Sequence, residues 1–369
     1  MATEPSTSSM VLTARRSLEL REFPVPDVSG GGALLDVEMT SVCGSDIALY
    51  TGKSRHMDSL PLVLGHEVVG RVAEASDETL ERWGVEIGDR VMPEPYIPCY
   101  DCDDCRTGNY HMCELYRCYG ITLSADRPPH LWGGYGEYLY LDPNSLVHPV
   151  SEAVDGRAAC LGSVVGNGVR WAITKGAVTA GDSVAVIGPG AQGLATTIVA
   201  DEAGADPLVL MGLSSDERRL DLGERVGATH TLFTDADGVE ERVAEITDGG
   251  PDVVVVTAPA SAAVTLGIDV VRPRGRVVLP GLVGEPTELD TDKLVKDEIS
   301  LIGARGQALD VERAMGIVER RADDVAAINT HVFPLADAER AIRKQLPGEA
   351  DFAPEIVHAA LAPDGGHSR

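Results

Sequence analysis

The chain has 369 residues, enough for two domains with separate cores, and its 44% hydrophobic and 24% charged residues are ordinary for a soluble globular protein. Its 58 acidic against 31 basic residues give a formal charge of -27. That charge would repel phosphates and argues against nucleic acid or an anionic membrane as a partner.

The longest apolar runs, such as Val253–Val256, are strand-sized and too short to span a bilayer. Only Lys53, Lys175, Lys293, Lys296 and Lys344 are lysines; arginine supplies the other positive charges. Dense carboxylate with scarce lysine resembles a halophilic protein adapted to high cytoplasmic salt, although a high-GC genome favouring Arg, Ala and Gly would leave the same trace. Met1 to Met10 is Ser/Thr-rich, carries Glu4 and lacks a basic and an apolar region, so no secretory signal is expected and the location reads as cytoplasmic. A frayed tail should precede a first strand near Met10-Val11-Leu12. Seven cysteines without an export signal point to reduced thiols or metal ligands rather than disulfides.

Along the chain, Leu18–Phe23 alternates, Pro24-Val25-Pro26 breaks the pattern, and Ala33–Met39 resumes it after Gly30-Gly31-Gly32. Then come Cys43-Gly44-Ser45-Asp46 and Gly65-His66-Glu67. A thiolate, an imidazole and carboxylates together suit zinc. Their spacing is unlike the close pairs of a zinc finger, so an open site with three or fewer protein ligands is expected. A buried thiol and a core histidine are the plain alternative. Gly70–Ala75 and Gly88–Met92 read as further strands of a compact, barrel-like β unit.

Cys99, Cys102, Cys105 and Cys113 follow within fifteen residues. Four thiolates can close a tetrahedral zinc site with no open position, which makes this zinc structural. An iron–sulfur cluster is the functional rival. Trp132–Leu141 returns to strand alternation, and Ser151–Thr174 has helical spacing.

After Gly181-Asp182 the chain alternates β and α. Ser183–Ile187 is a buried strand that runs into Gly188-Pro189-Gly190-Ala191-Gln192-Gly193 and a helix from Leu194 to Ala203. A glycine turn between strand and helix is the context that binds a dinucleotide pyrophosphate. After the next strand, Pro207–Met211, no carboxylate stands where a ribose-binding acid is usual. Ser214, Ser215, Arg218 and Arg219 lie just beyond. Two hydroxyls and two arginines could accept a ribose 2′-phosphate, which leans the cofactor to NADP over NAD. Alternatively Asp216 caps the next helix and the arginines are its solvated face. Strands at Thr229–Phe233, Val253–Thr257, Arg276–Leu279 and Ile299–Ile302 complete a doubly wound parallel sheet. Helical Val311–Ile328 and Phe333–Gln345 should pack back on the first domain.

Together with Phe333-Pro334-Leu335-Ala336-Asp337-Ala338-Glu339-Arg340-Ala341, these motifs resemble the zinc-dependent medium-chain alcohol dehydrogenase superfamily, in order from near residue 10 to beyond 340. The resemblance implies an α/β Rossmann domain, a doubly wound parallel sheet over 165–306, plus a mainly-β GroES-like catalytic domain. The latter would span 10–164 and 307–369, with a structural-zinc lobe at 95–115. The active site would lie in the cleft between them. By the same resemblance Cys43 and His66 match catalytic-zinc ligands, Ser45 a hydroxyl that contacts substrate and starts proton release, and Asp46 a carboxylate that orients the histidine. Glu67 matches an acid beside the metal that binds it in some members.

Two departures stand out. The family supplies another ligand, Cys or Glu, where this chain has Ser163, and a relay histidine where it has Ala48. Glu67 with water is the favoured completion of the zinc site; a shifted Cys160 and a weak or absent zinc are the alternatives. The expected reaction is reversible hydride transfer between an alcohol and NAD(P), on a small-molecule alcohol or ketone that is secondary, cyclic or a polyol. His130, Trp132 and Trp171 could line the substrate site or simply pack. A zinc-independent quinone or enone reductase and a non-catalytic NAD(P)-binding protein are the competing readings. The family's usual assembly implies a homodimer or homotetramer.

Overall fold

The computed structural model describes residues 5–363, so Met1 to Glu4 of the expected tail lie outside the described residues. The rest of that expected tail is not frayed. The first strand is Ser6–Ala14, paired along its length with Ser17–Pro24, because Ser6, Ser8, Met10 and Leu12 find antiparallel partners there. No helix among the described residues is long and apolar enough to cross a membrane.

The chain divides into two compact units, one of residues 5–163 with 329–363 and one of 164–328. In the first, a seven-stranded sheet is built around Ala33–Ser41. That strand pairs antiparallel with Val68–Ala75, with Tyr138–Leu141 and, at its end, with Ala359–Ala362. Leu35, Val37, Val68, Val72, Val91 and Leu139 alternate inward and form one core. Arg90–Pro93 and Val147–Pro149 extend the sheet on one side, and His331–Pro334 ends it on the other.

Register brings distant segments together. Thr40 pairs with Val68, so the residues just beyond one strand and just before the other lie side by side: Cys43 and His66. Ala360 pairs with Ser41, which carries His358 to the same place. The loop that holds the four clustered cysteines leaves and re-enters through the antiparallel pair Tyr96–Ile97 and Arg117–Cys118.

The second unit is a six-stranded, wholly parallel sheet. In spatial order its strands are His230–Phe233, Leu208–Gly212, Val184–Ile187, Val253–Val256, Arg276–Leu279 and Ser300–Gly303. Numbered by sequence this is 3-2-1-4-5-6, the doubly wound Rossmann order. The three central strands are apolar at every position and fully buried, as a sheet covered on both faces requires.

Two expectations change. Ser151–Thr174 is not one helix: short helices at Gly156–Ala159 and Gly162–Gly168 give way to π-helical turns over Val169–Lys175. Helices Val311–Arg320 and Ala322–Ile328, expected with the first domain, belong to the second unit. Polar anchors explain it. Asp310 accepts hydrogen bonds from Arg170 (3.2 Å) and Thr174 (2.6 Å), while Arg320 and Arg321 bind Glu202 and Asp201 (both 2.7 Å). Val311, Ala314, Ile317 and Val318 of the first of these helices are buried.

Candidate active site and metal centres

Cys43 stands at the N-cap of the helix Gly44–Thr51, and His66 and Glu67 immediately precede the strand Val68–Ala75. One donor atom from each of Cys43, His66 and Glu67 lies within 4.8 Å of the others. Asp46, fully buried, ties the cluster together. Its Oδ2 accepts the Cys43 N–H at 2.9 Å and the Tyr135 hydroxyl at 3.5 Å, and its Oδ1 lies 3.6 Å from His66 Nδ1. With Nδ1 turned to Asp46, Nε2 faces the ligand side, where Ser45 Oγ stands 3.2 Å away. Ser45 is partly exposed.

Charge follows from this packing. Burial lowers the pKa of His66, but the Asp46 carboxylate and Cys43 outweigh it and hold the imidazole well above its ordinary value. Burial pushes the Cys43 thiol up, and the Glu67 charge adds to that. For Glu67 burial works against ionisation, yet His358, His66 and Ser41 prevail and hold its carboxyl at about 2. A half-buried thiol beside a buried imidazole and a buried carboxylate fits a catalytic zinc donor set.

Ser163 is buried and offers only a hydroxyl. Cys160 is not part of the donor cluster. Its buried thiol faces the Arg157 carbonyl (3.6 Å) and the Asn329 amide (3.3 Å), so the alternative in which it supplies a ligand is not the arrangement found. Sequence reasoning missed His358, whose Nε2 lies 3.5 Å from Glu67 Oε2, and Ser41, whose hydroxyl donates to the same oxygen. No local motif marks either of them.

The second cluster is Cys99, Cys102, Cys105 and Cys113, again with all four sulfurs within 4.8 Å. Cys99 and Cys105 sulfurs are 3.7 Å apart. A tetrahedron with Zn–S bonds of about 2.3 Å has edges of about 3.8 Å, far longer than a disulfide. The N–H groups of Cys102 (3.3 Å) and Asp101 (3.4 Å) point at Cys99 Sγ and hold its thiol down at about 6. Four convergent thiols with thiolate-stabilising amides fit a closed zinc site.

In the second unit Gly188 has φ +110°, and a Cβ on Gly193 would sit 1.8 Å from the Gly188 carbonyl, so both positions need glycine. Around Gly190 there is open space. The helix Ala191–Glu202 starts there without a side-chain cap, leaving its first N–H groups for a phosphate. Gln192 accepts from Asn167 at 3.1 Å. A Cβ on Gly212 would sit 2.6 Å from Pro189 Cγ, so an acidic side chain at the strand end would have to displace that ring. Ser214 gives its N–H and hydroxyl to Asp235 (2.8 and 2.7 Å), and Asp216 accepts the Leu213 N–H at 3.2 Å. Ser215 and Arg218 are exposed, and Arg219 lies 3.8 Å from Asp216.

His130 and Trp132 pack. His130 stacks on Phe23 and Trp132 lies edge-on to Tyr140, each with a ring nitrogen on a carbonyl. Trp171 is buried in the π-helical turns of the second unit.

Residues 29–152 match the alcohol dehydrogenase GroES-like domain, and residues 191–320 match the zinc-binding dehydrogenase domain. A Mycobacterium tuberculosis protein carrying the alcohol dehydrogenase name is 36% identical over 364 residues, covering 96% of this chain and 98% of its own. A sorbitol dehydrogenase of Halalkalibacterium halodurans is 31% identical, covering 90% and 93%. Among solved structures, a protein described as a zinc-binding dehydrogenase from Sinorhizobium meliloti, bound to NADP, superposes with a TM-score of 0.85 at 25% identity, covering 98% and 100%. The chain belongs to the zinc-dependent medium-chain alcohol dehydrogenase superfamily, with a Rossmann and a GroES-like domain. It is an oxidoreductase of small-molecule alcohols that uses zinc and NAD or NADP.

Proposed function

We propose that Cys43, His66 and Glu67 hold the catalytic zinc, that Ser45 moves the substrate proton, and that the substrate is a secondary alcohol or polyol. The observation that carries this is the convergence of the three donors within 4.8 Å, with Ser45 Oγ beside His66 Nε2. Zinc held there supplies Lewis-acid polarisation of an alcohol oxygen, and NAD(P) supplies the hydride acceptor. Asp46 fixes the face His66 presents. Ser45, partly exposed, takes the proton, and with Ala48 in place of a relay histidine the proton leaves through water. Cys99, Cys102, Cys105 and Cys113 hold a second, structural zinc. Gly188, Gly190, Ala191, Gln192 and Gly193 hold the pyrophosphate, and Ser214, Ser215, Arg218 and Arg219 lie toward the adenosine ribose. The catalytic domain is assigned to residues 5–163 with 329–363 and the nucleotide-binding domain to 164–328.

A polyol fits the kinship with a sorbitol dehydrogenase. A lean to NADP is supported by Gly212 and the two arginines and opposed by Asp235. A homodimer or homotetramer is supported by the exposed sheet-edge strand Ser300–Gly303 and by Leu282 and Val295, 88% and 77% exposed. A reducing, cytoplasmic location is supported by seven cysteines that form no disulfide among the described residues, and salt adaptation by the -27 charge. The zinc-independent reductase reading is disfavoured because both donor sets are intact.

The test is NAD(P)H formation across simple, secondary, cyclic and polyhydroxy alcohols. Secondary alcohols or polyols should turn over fastest, and Cys43→Ala should abolish turnover while NAD(P)H still binds. Retained turnover in that variant would sink the role given to Cys43.

A further inference from the structure

Glu67 is restrained on one oxygen. Ser41 donates to Oε2, and His358 Nε2 lies 3.5 Å from that same atom with no other hydrogen-bond partner. All three side chains are buried. Both contacts fall on Oε2, so Oε1 carries none of this restraint. The two residues arrive by strand pairing: Ser41 ends the central strand, Ala360 pairs with it, and the Val42 N–H bonds the Ala359 carbonyl at 2.9 Å. A carboxylate that binds metal through one oxygen is commonly fixed by hydrogen bonds on the other. The need for such fixing is acute here, since Ser163 is a poor ligand and the Cys160 thiol is engaged by Arg157 and Asn329.

We propose that Ser41 and His358 are positioning residues that fix Oε2 of Glu67 and so present its carboxylate to Cys43 and His66 as the third protein ligand. This rests on reading that centre as the catalytic zinc site. The rival is that His358 is a counter-ion that keeps Glu67 off the metal.

The test is zinc affinity and chelator-driven zinc release from the holoenzyme, with cobalt(II) absorption as a second readout. Ser41→Ala and His358→Ala should each weaken the non-lobe zinc by about 10- to 100-fold. The lobe zinc should be unaffected, and the cobalt band should shift. His358→Gln, which keeps an N–H donor, should recover most of the affinity. Glu67→Ala should lose at least as much as either. Unchanged or tighter zinc in His358→Ala, with Glu67→Ala weakened, overturns the positioning role and leaves Glu67 a ligand. Unchanged zinc in Glu67→Ala overturns the ligand reading itself. If His358→Ala fails to fold, Ser41→Ala and His358→Gln decide: unchanged zinc in Ser41→Ala, or no recovery in His358→Gln relative to an apolar His358→Leu, contradicts the proposal.

Discussion

Asp46 Oδ1 lies 3.6 Å from His66 Nδ1, while Oδ2 of the same buried carboxylate takes the Cys43 backbone N–H at 2.9 Å. One side chain therefore sets both the imidazole face and the start of the helix that carries the thiol. Asp46→Ala should weaken zinc at this centre by about 10- to 100-fold. Zinc release to a chelator measures it, and release as slow as in the unchanged protein would show that Asp46 does not orient the ligand.

Asp235 occupies the N–H and hydroxyl of Ser214, which under the proposed placement of the adenosine ribose would face a 2′-phosphate. A carboxylate a few ångströms from a phosphate costs on the order of 1 kcal/mol even in water-like dielectric. Asp235→Ala should therefore raise the ratio of kcat/KM for NADP over NAD by about fivefold or more. An unchanged ratio would place the ribose elsewhere.

Asp252 accepts from the Ser183 N–H and hydroxyl (2.8 and 2.7 Å) and from Arg272 (2.7 Å). Burial opposes its charge, but these donors prevail and its pKa is lowered. A lowered folded-state pKa stabilises above the unfolded value of about 4 and loses that contribution as pH falls through the folded value. Asp252→Asn should cost about 1–3 kcal/mol at pH 7. The gap should narrow below about pH 4 in denaturant melts. A gap independent of pH would contradict the charge-based account.

The -27 formal charge implies self-repulsion that salt screens, with a Debye length falling from about 10 Å at 0.1 M to about 3 Å at 1 M. Tm should rise from low to molar salt. A flat Tm would favour genome composition over salt adaptation as the origin of the acidic surface.

What could be read from the sequence was local. Cys43 to Glu67 and the cysteine lobe are marked by residue types at short spacing, and the glycine turn by its place between a strand and a helix. The parallel sheet was legible because its central strands are apolar without interruption. His358 and Ser41 were not, since nothing near either residue signals the pairing of Ala360 with Ser41 that brings them to Glu67. The placement of 311–328 failed for a similar reason. Its buried helical face is evident in sequence, but the partners that choose the unit, Arg170, Thr174 and Asp201, lie more than a hundred residues away. Asp235 was missed because it follows a different strand from the serine it binds.

Zinc per chain, by elemental analysis of chelator-free protein, decides whether Cys43, His66 and Glu67 hold a metal, and is to be compared in the unchanged chain, Cys43→Ala and Cys113→Ser. About two zincs are expected in the first and about one in each variant, the remaining zinc residing in the untouched cluster. One zinc in the unchanged chain, kept in Cys43→Ala and lost in Cys113→Ser, would leave Cys43, His66 and Glu67 without a metal role.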